Sequence, residues 1–333
     1  MKENTVLPLI NTAFIPGKAQ ETVNNFKDSD VKNIAQAELF YFQGEAKKCS
    51  DISEMYLMSP KIELKLSACM LYAYANLTLG DVSASKRGLG EIKDYALKEL
   101  QLSSSKENKA FCVFASYLGS VLLHLPTNDL PDLKKYIRDL PYGIRLYATY
   151  IMAHASYLKG DYSKALGMCE SALYFCNETY TISMLYLYCM VAMCKINLKE
   201  NKEAEEALMI AWTNAKPDGF LEPFIEHHGL LQGLIESCIK KDDPKMYGKL
   251  SEAVISFSRG WMSVHNPSTD IKVTDTLTTM EFSIAMLASR GWTNLEISNQ
   301  LGMSVNTVKH YMSTILTKVG VKKREDLKEH LLK

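Results

Sequence analysis

The chain carries 333 residues, with 38 basic and 38 acidic side chains, 47% hydrophobic residues and 23% charged ones. These are the proportions of a globular protein, long enough for more than one domain, and the zero net charge excludes a general attraction of the whole chain to nucleic acid. No apolar run approaches the roughly eighteen residues of a membrane-spanning helix, and the opening Met1-Lys-Glu-Asn-Thr-Val-Leu-Pro lacks the apolar core of a signal peptide.

Residues 1–265 read as stacked helical hairpins. The first unit is marked by Tyr41-x-x-Gly44-Glu45-Ala46 and the next by Leu77-x-x-Gly80-Asp81-Val82. A degenerate unit over Ser116 to Leu140 is interrupted by Pro126 and Pro131. The clearest unit, Ala148 to Phe175, contains Tyr157-x-x-Gly160-x-Tyr162-x-x-Ala165, with Ala172 seven residues on. Small residues let two antiparallel helices approach, the Gly makes the turn, and the aromatic fills the space between hairpins. A shift of 39 residues brings Ile196, Asn201, Ala204 and Ala211 to the corresponding positions. A last unit spans Gly229 to Phe257, with its turn at Lys241-Asp242-Asp243-Pro244. This set resembles the tetratricopeptide repeat in its degenerate, MalT-like form, with a spacing that wanders from about 36 to about 46 residues instead of the usual 34. The expectation of an all-α solenoid rests separately on helical periodicity, few Pro and Gly within helices, and no alternating strand pattern.

A solenoid of hairpins has a concave groove lined by the first helix of each unit, which suits a peptide, a small molecule or another protein. Most of the aromatic and Met residues from Tyr147 to Met193 read as core between hairpins. Tyr150, His154 and Tyr186 are the candidate effector-groove residues, and His154 falls on the polar side of its helix pattern, a surface position. Residues 266–274, opening Asn266-Pro267-Ser268-Thr269-Asp270, have turn composition and read as a short linker.

From residue 275 the pattern changes to short, capped helices. Thr278 with Glu281 and Thr293 with Glu296 have capping-box spacing, so these four read as helix caps. Ser304 is the N-cap of a third helix. The connections Arg290-Gly291-Trp292 and Gly302-Met303 are short, as in a helix-turn-helix. The third helix, about Val305 to Val319, places Val305, Val308, Met312, Ile315, Leu316 and Val319 inward. Its outward stripe of Asn306, Thr307, Lys309, His310, Ser313 and Thr317 holds no acid. From Ser304 to Arg324 the only charges are Lys309, Lys318, Lys322, Lys323 and Arg324. Such a surface suits phosphates.

The segment resembles the LuxR-type (LuxR/FixJ) DNA-binding domain. The matching residues are Leu277-Thr278-x-x-Glu281, Gly291-x-Thr293-Asn294-x-Glu296-Ile297, Leu301-x-Met303-Ser304-x-x-Thr307-Val308-Lys309 and Ile315-x-x-Lys318-Val319-Gly320-Val321. The family usually places His two residues after that Lys; here Tyr311 stands there and His310 precedes it. The expected architecture is a helical-hairpin solenoid (1–265), a linker (266–274) and a small four-helix LuxR-type domain (275–333). The resemblance implies a bacterial, cytoplasmic transcription regulator whose third helix enters the major groove of double-stranded DNA. Lys309, His310 and Ser313 then read bases, while Ser304, Asn306, Thr307 and Lys318 meet phosphates or the groove rim. It also implies a homodimer on DNA, paired through the final helix at Leu327, Leu331 and Leu332, and RNA polymerase as a partner.

No phosphate-binding loop, receiver-type acidic cluster, H-E-x-x-H or G-x-S-x-G occurs. The eight Cys form no C-x-x-C pair and read as reduced core thiols. The sequence therefore points to no catalytic residues, no metal site and no cofactor. Its effector, whether small molecule, peptide or protein, is not named by any motif. The alternative is an interaction scaffold whose C-terminal domain docks protein instead of DNA.

Overall fold

A computed structural model describes residues 5–123, 129–265, 277–289 and 291–328. Among them the chain is all-helical, with one isolated bridge between Phe14 and Tyr180. After the short α1 (Ala19–Asn24), antiparallel hairpins stack side by side. They are α2 (Ser29–Phe42) with α3 (Ala46–Glu54), α4 (Ile62–Leu79) with α5 (Val82–Leu102), α7 (Tyr142–Leu158) with α8 (Tyr162–Tyr174), and α9 (Thr181–Asn197) with α10 (Asn201–Ala215). Between the second and third hairpins, α6 (Lys106–Leu122) has no returning α-helix among the described residues. Two 3-10 turns, Leu133–Lys135 and Ile137–Asp139, replace it in the Pro-interrupted unit. Pro126 and the linker at 266–274 lie outside the described residues.

The sequence decides which helix of each hairpin lies inside. Helices α4 and α9 are apolar on all sides and almost wholly buried, whereas α5 and α8 bury only a narrow stripe. The turns close with left-handed glycines at Gly44, Gly80 and Gly160 (φ +75° to +82°), a conformation that costs an L side chain about 1–2 kcal/mol. The fourth hairpin uses Lys199 (φ +67°) at the same place. All eight cysteines are free thiols, six of them buried.

The solenoid curls back on itself. The short α11 (Glu222–His227) and the long α12 (Pro244–His265) return to the first hairpins. The Leu221 N–H donates to the Phe42 carbonyl at 2.7 Å, and the Trp261 indole N–H donates to the Leu122 carbonyl at 3.1 Å. At Gly260 the backbones nearly touch: a Cβ there would lie 1.9 Å from the Leu77 carbonyl oxygen. Residues 5–15 cover the inner surface, with Val6, Leu7, Leu9 and Ile10 at most 3% exposed. The expected open concave groove is thus filled.

That filling corrects the reading of the three groove residues. Tyr150 and Tyr186 are 0% exposed and His154 is 2% exposed, so His154 is a core residue and not a surface one. The Tyr150 and Tyr186 rings pack 5.0 Å apart. The Tyr150 hydroxyl lies 2.7 Å from His227 Nε2 and 3.2 Å from His154 Nδ1, while His227 Nδ1 lies 2.6 Å from the Pro223 carbonyl oxygen. A carbonyl can only accept, so His227 carries its proton on Nδ1 and its Nε2 accepts from Tyr150. Burial pushes the His227 pKa down to about 4.

Candidate nucleic-acid interface

Among the described residues the small domain holds α13 (Thr279–Ser289), α14 (Asn294–Leu301) and α15 (Val305–Val319), followed by a 3-10 turn at Arg324–Asp326. Ile284, Leu287, Ile297, Val308 and Ile315 meet in its core at 0% exposure. Ahead of α13, the Thr278 N–H donates to Glu281 Oε2 at 2.7 Å, and the Glu281 N–H donates to Thr278 Oγ1 at 3.3 Å. Ahead of α14 the same reciprocal pair joins Thr293 and Glu296 at 2.7 and 3.2 Å. Each box satisfies donors that a helix N-terminus leaves unpaired. Gly302 ends α14 in the left-handed region (φ +62°), and the Met303 N–H returns to the Ser298 carbonyl at 3.0 Å. Ser304 then caps α15 by accepting the Thr307 N–H at 3.0 Å.

That sharp turn sets α14 against α15 and leaves one side of α15 bare. Asn306, Thr307, Lys309, His310, Ser313 and Thr317 are all exposed, as is Ser304 at the start of the helix. The six outward residues lie on one face, opposite Val308, Met312, Ile315 and Val319. The result is a neutral-to-basic polar ridge with hydroxyl, amide, ammonium and imidazole groups available to a groove.

Two cations expected on this surface are engaged within the fold. The Lys318 ammonium sits 2.8 Å from both oxygens of Glu281, so the helix-capping acid also locks α15 to α13. Burial works to raise the Glu281 pKa, but Lys318 and the Thr278 N–H outweigh it and hold the carboxyl below its ordinary value. The Arg324 guanidinium donates to Asn294 Oδ1 at 2.7 Å. Lys309, Lys322 and Lys323 remain exposed. Leu327, expected to offer part of a dimer patch, is 0% exposed within the domain; Leu331 and Leu332 lie outside the described residues.

The opposite side of the small domain rests on the solenoid, a contact the sequence reading did not anticipate. The His228 ring stacks on Phe282 (centroids 6.4 Å apart, 25° between planes). Gly229 and Gly233 permit the approach: a Cβ at Gly229 would meet Phe282 at 2.8 Å, and one at Gly233 would meet Leu301 at 2.4 Å. The Lys199 ammonium reaches Glu296 at 2.9 Å and lies 4.2 Å from the centroid of the buried Trp292 ring. Lys199 and then the Thr293 N–H pull the Glu296 pKa down to about 2. A lysine at the turn position that holds Gly in the other hairpins was the one signal in the sequence. Among the described residues no group of His, Cys, Asp and Glu could hold a metal ion, and no helix is long and apolar enough to cross a membrane.

The chain is similar to known bacterial regulators in part of its length. Over 90 residues the chain is 36% identical to the "Probable transcriptional regulatory protein SgaR" of Hyphomicrobium methylovorum, a match covering 26% of this chain and 40% of that protein. The match thus spans less than half of the relative's length. No solved structure matches the chain significantly. The family model described as bacterial regulatory proteins, luxR family, matches residues 275–330, the segment that holds both capping boxes, the turn and α15. Those residues are therefore a helix-turn-helix domain of the luxR family of bacterial regulatory proteins.

Proposed function

We propose that the protein is a sequence-specific, DNA-binding transcriptional regulator working inside a bacterial cell. The observation that carries this reading is the bare polar face of α15, which stays exposed although the opposite side of the small domain is docked on the solenoid. A major groove admits one α-helix. Lys309, His310 and Ser313 are the residues proposed to read bases, with Ser304, Asn306 and Thr307 at the rim. Lys318, held by Glu281, supports the helix from behind. The solenoid is proposed to sense an effector and to bias the small domain through the Lys199 and Gly233 contacts. Two copies on two half-sites about one helical turn apart would match the docking of such domains.

The test is retention of the full chain on duplex DNA as salt is raised, followed by mapping of bound sites across a genome. Phosphate neutralisation releases counterions, so affinity should fall steeply with salt. A chain that ignores duplex DNA at low salt would instead be an interaction scaffold.

A further inference from the structure

The inner surface formed by α2, α4, α7 and α9 holds residues 5–15 largely by their backbone. The Leu7 N–H donates to Ser67 Oγ at 2.8 Å. The N–H groups of Leu9 and Ile10 donate to the two carboxyl oxygens of Glu38 at 2.9 and 3.0 Å. Further along, the Phe14 N–H donates to the Thr179 carbonyl at 2.8 Å, and the Thr181 hydroxyl donates to the Phe14 carbonyl. Helix α7 makes room for the crossing: a Cβ at Gly143 would stand 2.6 Å from Asn11 Cα and 2.8 Å from the Ile10 carbonyl oxygen. Backbone hydrogen bonds with pockets for side chains are the means by which grooves read peptides.

The occupant fits this groove imperfectly. Leu7 is held at φ +46°, where an L side chain costs about 1–2 kcal/mol. A cavity of about 30 Å³ remains under Leu7 and Ile10, walled by Tyr41, Tyr74, Tyr147 and Glu226. Glu38 is 0% exposed and receives both of these hydrogen bonds from the segment. Departure of the segment would strand a buried polar group, so the groove needs an occupant that brings backbone N–H groups.

We propose that this inner groove is a peptide-binding site, that residues 5–15 are its resident occupant, and that the effector is an apolar peptide that takes their place. Such a peptide would bind best with a side chain larger than isoleucine at the Ile10 position, where the cavity lies. This rests on the reading of the solenoid as a sensor, but the assays below read peptide binding without DNA, so their failure leaves the DNA-binding reading untouched. The tethered segment competes at high effective concentration, so the wild-type chain should bind added peptide weakly.

The probe is a fluorescent synthetic peptide with the sequence of residues 5–16, followed by anisotropy. The full chain carrying Leu9→Asp should bind it about tenfold or more tighter than wild type, since the resident segment is loosened. Adding Glu38→Ala should abolish that binding. A peptide carrying Ile10→Phe should bind about fourfold tighter, the worth of roughly one more buried methylene. In the wild-type chain, hydrogen exchange at Leu9 and Ile10 should precede that of the surrounding α4 and α9. A folded Leu9→Asp chain that binds no better than wild type overturns the proposal. So does exchange at Leu9 and Ile10 that occurs only with global unfolding, and this second measurement decides alone if Leu9→Asp does not fold.

Discussion

Lys199 adopts a left-handed backbone (φ +67°) and places its ammonium 2.9 Å from the carboxylate of Glu296, across the boundary between solenoid and small domain. Its turn position belongs to Gly44, Gly80 and Gly160 in the other hairpins. A strained residue at a functional contact is a recurrent arrangement. Lys199→Gly should relieve about 1–2 kcal/mol of backbone cost and remove an ion pair worth at most about 1 kcal/mol at such half-exposed side chains. The expected outcome is a solenoid at least as stable as before, with faster amide exchange around Trp292 to Glu296. Unchanged exchange there would show that the lysine does not hold the small domain.

Base readout by α15 is tested at Lys309. An ammonium at this position can donate to guanine O6 and N7, so Lys309→Ala should cost about 1–3 kcal/mol on the specific site. On random duplex DNA the loss should be much smaller. Equal losses on both would make Lys309 a phosphate contact.

Lys318 looks like a phosphate ligand in the sequence but is engaged by Glu281 in the fold. Lys318→Ala should lower the stability of the small domain by about 1–3 kcal/mol, because Glu281 loses its charged partner. The dependence of DNA affinity on salt should keep its slope. A slope shallower by about one unit would mean that Lys318 leaves Glu281 for a phosphate.

Thr293 gives a stability prediction with no effect on bases. Thr293→Ala removes the acceptor for the Glu296 N–H and should cost about 1 kcal/mol. Thermal unfolding of the small domain reads this. Intact stability with lost DNA binding would turn Thr293 into a contact residue.

His227 makes stability depend on pH in a definite direction. Its pKa falls from 6.5 to about 4 in the folded chain. Between those values the unfolded chain binds a proton that the native chain refuses, so stability is lost as pH drops through that window, by at most about 1.4 kcal/mol per unit. Glu38 acts oppositely: burial raises its carboxyl to about 8, so its contribution is lost as pH rises from 4.5 toward 8. The diagnostic quantity is therefore the difference between the denaturation curves of wild type and His227→Gln from pH 4 to 7. Parallel curves would remove His227 as the cause.

The helices of the small domain were legible because their signals are local. Thr278, Glu281, Thr293, Glu296 and Ser304 fix helix starts within three residues, and each start lies where the sequence spacing put it. The exposed face of α15 follows from period alone. The stacked hairpins were legible for the same reason, since α4 and α9 are apolar on every side. What periodicity could not say is what an apolar face touches. Tyr150, His154 and Tyr186 have the period of groove residues, with His154 on the polar side, and it is the return of α11, whose His227 ring meets all three, that makes them core.

The sequence by itself thus determined where helices begin and end, which faces are apolar, and which family residues 275–330 belong to, because caps, turns and period act over a few neighbours. The tertiary structure alone decided which polar groups are spent inside the fold. Glu281 takes Lys318, Asn294 takes Arg324, and Lys199 takes Glu296 from 97 positions away. It also decided that the solenoid closes around residues 5–15 and that the small domain rests on it through Gly229 and Gly233. These pairings join residues far apart in sequence, and their energies depend on burial and distance, which no local pattern encodes.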